Sequence, residues 1–126
     1  MPGPYILDTN VVIYYVGGEI KTLGKLIPIM RSYATVMLPS IVITELWSGK
    51  QTPSTEIAAI EAFIATLVVI PLEMQIARSA GILRRDINLS IGDSIVAATA
   101  LTMGATLLTR NIRDFKKVPN LQLEAV

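Results

Sequence analysis

The chain has 126 residues, 52% hydrophobic and 17% charged, with no cysteine, no histidine and a net charge of +1. This length fits a single domain over residues 1–126 with a sizeable core. The composition excludes disulfides, thiolate metal sites, histidine bases, Ser-His-Asp and Cys-His nucleophiles, and most zinc sites, so hydrolytic chemistry must rest on carboxylates, hydroxyls, Lys or Arg, or a hard cation.

Tyr5-Ile6-Leu7 reads as a buried strand ending at Asp8, followed by a turn over Asp8-Thr9-Asn10 and a helix from Val11 to Val16 that stops at Gly17-Gly18. From Glu19 to Arg31, apolar residues at Ile20, Leu23, Leu26, Ile27 and Met30 keep a helical spacing, with Pro28 as a potential bend. Ala34 to Leu38 is a second strand. Pro39-Ser40 opens a helix from Ile41 to Ser48, and Gly49 stops it. Pro53-Ser54-Thr55 starts a further helix that gives way to a strand at Leu67 to Ile70. Beyond Pro71, Glu73 to Ile87 is helical. Asp93 begins a helix of small residues closed by Gly104, and its Ala97-Ala98 pair suits close approach to a sheet. Ala105 to Leu108 and Leu121 to Leu123 complete the strands. This alternation indicates a three-layer α/β/α sandwich around a mainly parallel sheet.

No apolar run reaches the roughly 18–20 uncharged residues of a membrane span, and the start lacks a secretory signal pattern; a cytoplasmic location is expected. Arg110, Arg113, Lys116 and Lys117 surround Asp114, and Arg84 adjoins Arg85. Such runs suit either a polyanion or a solvated face. Trp47 suits a core position better than an exposed one, although a base or a partner is an alternative contact.

Four of the ten acids sit outside ordinary solvent-facing positions. Asp8 follows the first strand, and Asp114 comes soon after the Leu107-Leu108 strand. Glu45 lies within Ile41-Val42-Ile43-Thr44-Glu45-Leu46-Trp47, and Asp93 within Ile91-Gly92-Asp93-Ser94-Ile95-Val96. Helix capping would account for Asp8 or Asp93 alone, and a turn for Asp114. Glu45 has no evident local partner, because the third position of a capping box from Ser40 holds Ile43. In an open parallel sheet, ligands bind beyond the carboxyl ends of the strands, where all four acids can gather. Two carboxylates about 5 Å apart repel by roughly 3 kcal/mol at an effective dielectric of about 20. Such a cluster calls for protons or a cation, and an all-oxygen donor set suits Mg²⁺ or Mn²⁺. A metal of that kind beside basic side chains suits phosphodiester hydrolysis.

The segments Ile6 to Ile13, Ser40 to Leu46, Asp93 to Ala100 and Leu108-Thr109-Arg110-Asn111-Ile112-Arg113-Asp114-Phe115 resemble, in order, the motifs of PIN domains, and look most like the small VapC-type toxins of toxin–antitoxin pairs. The resemblance implies a PIN-like fold and an endoribonuclease dependent on Mg²⁺ or Mn²⁺, with one or two ions. It implies a homodimer silenced by a VapB-like antitoxin. It makes Asp8, Glu45 and Asp93 the metal-binding acids. Thr9 or Asn10 would orient Asp8, while Thr109, Arg110 and Asn111 would support the site or the substrate. Family members carry the fourth acid where this chain has Asn111 or where it has Asp114; only Asp114 is acidic here, so its contact with metal is direct or through water. A PIN nuclease of RNA processing without an antitoxin, or a catalytically silent binding module, would share the same fold. An aspartate-nucleophile phosphohydrolase would want a second Asp at the place of Asn10, and a phospho-receiver would want paired acids near the first strand, which are not evident.

Overall fold

The computed structural model describes residues 3–49 and 54–126. Within them, five strands form one wholly parallel sheet: β1 (Tyr5–Leu7), β2 (Val36–Pro39), β3 (Val68–Ile70), β4 (Thr106–Thr109) and β5 (Gln122–Ala125), in the order β3-β2-β1-β4-β5. The strands are short apolar runs, and those at the centre bury both faces: Ile6, Leu7, Leu38, Leu107 and Leu108 are wholly inaccessible. Seven α-helices connect them: α1 (Thr9–Val16), α2 (Ile20–Arg31), α3 (Ser40–Ser48), α4 (Ile57–Ile64), α5 (Met74–Asp86), α6 (Ile91–Met103) and the single turn α7 (Ile112–Phe115). The chain moves outward from β1 to β3, then returns to place β4 on the other side of β1. With right-handed crossovers, this order puts the helices after β1 and β2 on one face and those after β3 and β4 on the other. The packing agrees: α1 meets α2, α3 and α4, while α5 lies along α6.

Local chemistry explains the boundaries, including those that differ from the sequence expectation. Asp8 is itself the N-cap of α1, so the expected turn over Asp8-Thr9-Asn10 shrinks and Thr9 is already helical. The helix expected to begin at Asp93 begins at Ile91, because the Ser90 hydroxyl caps it by accepting from the Asp93 N–H at 3.1 Å. Strand β2 runs through Pro39, which parallel pairing with Ile70 accommodates. Pro53 lies outside the described residues; the helix expected from there is a 3₁₀ turn over Ser54–Glu56 followed by α4. Gly104 ends α6 in the left-handed conformation, φ 60°, that glycine adopts without a Cβ penalty. Helix α6 is buried continuously from Ser94 to Ala100, and its alanines let it lie between the sheet and α5. Trp47, weighted toward the core from sequence, instead stands 45% exposed on α3.

Candidate active site

The strand order reverses between β1 and β4, so the crevice of this sheet opens beyond their carboxyl ends. Leu7 is in register with Leu108, which brings Asp8 beside Thr109. Asp8 is buried. One of its oxygens, Oδ1, accepts from the Thr9 N–H at 2.7 Å, and Oδ2 accepts from the Thr109 hydroxyl at 2.8 Å. Burial pushes the Asp8 carboxyl above the ordinary carboxylate range, opposed by those two hydrogen bonds, which favour the ionised form. The Thr109 oxygen also accepts from the Asn111 N–H at 2.9 Å, so one buried hydroxyl joins the end of β4 to the Asp8 carboxylate.

Two further polar side chains link the acids. The Thr9 hydroxyl donates to Glu45 Oε1 at 2.7 Å, tying α1 to the half-buried acid on α3. Asn111 caps α7 by accepting from the Asp114 N–H at 3.4 Å. Its amide donates to Asp114 Oδ2 at 3.1 Å and reaches Asp93 Oδ2 at 3.5 Å. Asp93, in the first turn of α6, has its carboxyl pushed up to about 6, first by burial and then by the charges of Asp8 and Glu45, with a further contribution from Asp114. All four acids therefore share one electrostatic field. Among the described residues, the one salt bridge to any of them is Lys117 to Asp114, at 3.6 Å.

Among those residues, no three acids already stand around a single point as a closed cage. The chemistry of the set nevertheless fits a hard divalent cation: every donor is oxygen, and Asp93 is raised first by burial and then by the charges of its neighbouring acids. Asp8, Glu45, Asp93 and Asp114 supply carboxylate oxygens at this edge, although among the described residues no three of them stand close enough together to hold an ion as they are.

The remaining predicted residues divide. Asn10 is exposed on α1 and makes no side-chain hydrogen bond among the described residues. Arg110 points away from the acids. Its guanidinium is paired with Glu19, donates to the Thr22 hydroxyl at 3.2 Å and to the Val126 carbonyl at 3.1 Å, and lies 4.0 Å over the Tyr14 ring. Arg113 and Lys116 are exposed on the same turn as Asp114. Ser90 and Gly92 border the site without having been singled out from sequence. The Ser90-Ile91-Gly92-Asp93 spacing is a helix-start signal that identifies Ser90, whereas Gly92 carries no comparable signal.

Residues 5–121 match the PIN domain family. The chain belongs to that family. Within it, this PIN domain is similar to Ribonuclease VapC2 of Rickettsia felis, 30% identical over 128 residues that cover 95% of this chain and 96% of that protein. It is also similar to Ribonuclease VapC19 of Mycobacterium tuberculosis, 31% identical over 122 residues, covering 93% and 96%. The crystal structure of VapBC2 from Rickettsia felis, bound to a DNA fragment from their promoter, has the same fold, with a TM-score of 0.81 and 25% identity over 97% of this chain and 98% of that one.

Proposed function

We propose that this PIN domain is an endoribonuclease that hydrolyses RNA phosphodiesters with Mg²⁺ or Mn²⁺, and that it is the toxin of a toxin–antitoxin pair. The observation that carries the chemical reading is the gathering of Asp8, Glu45, Asp93 and Asp114 at the carboxyl edge of β1 and β4, linked through Thr9, Thr109 and Asn111. The chemistry supplied by a bound divalent cation is acidification of a water and neutralisation of charge on the phosphate. The chain's own side chains prepare for that. Thr109 and the Thr9 N–H aim the buried Asp8 carboxyl and offset part of what burial costs its ionised form. Thr9 fixes the rotamer of Glu45. Asn111 spans Asp93 and Asp114 and holds the α7 turn at the edge of the crevice. Asp93 takes up a proton as pH falls through about 6, so the acid set carries its full charge only above that value. Arg113 and Lys116 are exposed cations beside this edge, suited to flanking phosphates of a single strand.

The relatives support an RNA substrate and a VapB-like antitoxin, the former through the ribonuclease names and the latter through the VapBC2 complex. Exposed apolar side chains give such partners something to cover. Leu72, Met74, Ile82 and Ile91 are each more than two-fifths exposed, and a cleft of about 260 Å³ between α5 and α6 is lined by Leu72, Ala80, Ile91 and Ile95. A homodimer would use the same property. Among the described residues, no helix is long and apolar enough to cross a membrane, and we place the activity in the cytoplasm. Cleavage of RNA by the purified protein on addition of Mn²⁺, lost on Asp8→Asn in a folded variant, tests the reading. Undiminished cleavage by that variant would remove Asp8 from the site.

A further inference from the structure

Helix α6 begins Ile91-Gly92-Asp93, and Gly92 faces the Glu45 carboxylate of α3. A Cβ built on Gly92 would lie 2.6 Å from Glu45 Oε2 and 3.3 Å from the carboxyl carbon, inside the distance at which such atoms repel. Backbone conformation does not explain a glycine here. The positive-φ glycines are Gly18 and Gly104, so Gly92 adopts angles open to any residue. Gly92 stands in the first turn of α6, one residue past its start at Ile91, where no turn or positive φ requires a glycine. The space left by its missing side chain is filled by the Glu45 carboxylate, whose other oxygen is held by Thr9.

We infer that Gly92 is a positioning residue for Glu45: its missing side chain sets where the Glu45 carboxylate sits relative to Asp8 and Asp93. The inference rests on the proposed role of Glu45 in holding the metal ion. The obstructed atom is the far end of a flexible side chain, so a methyl group at position 92 displaces the carboxylate rather than the helix. Stability and metal binding then move independently. The fold is kept, while Glu45 leaves the Thr9 hydroxyl and its place beside Asp93.

The test uses Gly92→Ala, Glu45→Ala, the double variant, and Gly24→Ala as a control, since a Cβ on Gly24 meets nothing within 4 Å. Melting in EDTA and Mn²⁺ affinity by calorimetry are measured beside RNA cleavage. Gly92→Ala should still melt cooperatively, as a folded protein that has lost the Thr9–Glu45 hydrogen bond. It should bind Mn²⁺ about 10–100-fold more weakly, the usual cost of disturbing a residue that orients a ligand. In the Glu45→Ala background it should weaken binding no further, because the side chain it displaces is gone. Gly24→Ala should bind as wild type does. Wild-type Mn²⁺ affinity in Gly92→Ala would overturn the inference and leave the proposed function standing. Equal weakening with and without Glu45, or loss of the cooperative melt in Gly92→Ala, would also overturn it. A wild type that neither binds Mn²⁺ nor cleaves RNA would remove the proposed function and this inference together.

Discussion

Asp93→Asn should make the metal-free protein more stable while disabling it. The Asp93 carboxyl rises from its ordinary 3.8 to about 6, through burial and through the charges of Asp8, Glu45 and Asp114. Because the folded state holds this proton more tightly than the unfolded chain, the contribution of Asp93 to stability is fully present below about pH 4 and is lost as pH rises through about 6. At full strength the rise corresponds to about 3 kcal/mol. Asp93 is only half-buried and solvent screens its neighbours, so the cost at pH 8 is on the order of 1 kcal/mol. Asp93→Asn removes the charge and keeps an oxygen to accept from Asn111. In EDTA at pH 8 the variant should melt about 3–6 °C above wild type, and the difference should shrink towards zero by pH 4. Thermal melts of both proteins across that range provide the assay. A variant that melts below wild type at pH 8, or a difference independent of pH, would refute the claim that burial and the neighbouring acids disfavour the ionised form of Asp93.

Three further outcomes follow from the same geometry. Thr109→Val keeps the shape of a fully buried side chain but strips Asp8 and the Asn111 N–H of a partner; it should destabilise by about 1–3 kcal/mol in denaturant titration and reduce cleavage. Arg110→Ala breaks the ties to Glu19, Thr22, Val126 and the Tyr14 ring, and should lower the melting temperature while leaving Mn²⁺ affinity within a few-fold of wild type. Saturating Mn²⁺ at about 100 times its dissociation constant should stabilise the wild type by about 2.7 kcal/mol, and Asp93→Asn should lose most of that gain.

Apolar patterning made the sandwich readable, because each central strand is a short apolar run, α2 keeps a helical spacing of apolar residues, and α6 is a run of small residues buried from Ser94 to Ala100. The reversal at β1 and β4 depends on tertiary pairing and has no local signal. Asp8 and Asp114 were recognisable as residues that end or follow strands, and the motif order pointed to Glu45 and Asp93. Thr9, Thr109 and Asn111 were expected as supporting residues, and what escaped is which acid each of them holds. Thr9 meets Glu45 across 36 positions and Thr109 meets Asp8 across 101, distances at which sequence spacing says nothing. Arg110 stands among basic residues suited to RNA, yet Glu19, Thr22 and Val126 claim it in the fold. Trp47 sits beside apolar neighbours in sequence but on the solvent side of α3, because that short helix buries Val42 and Leu46 instead. Ser90 rather than Asp93 caps α6, its hydroxyl accepting from the Asp93 N–H so that the helix starts at Ile91.

The most direct measurement is cleavage of RNA by the purified, EDTA-treated protein, with and without added Mn²⁺, for wild type and Asp8→Asn. The account predicts cuts only for wild type and only with the ion, with both proteins melting cooperatively. Cleavage without any divalent ion, or by the folded Asp8→Asn protein with it, would contradict a carboxylate-held metal as the source of the activity.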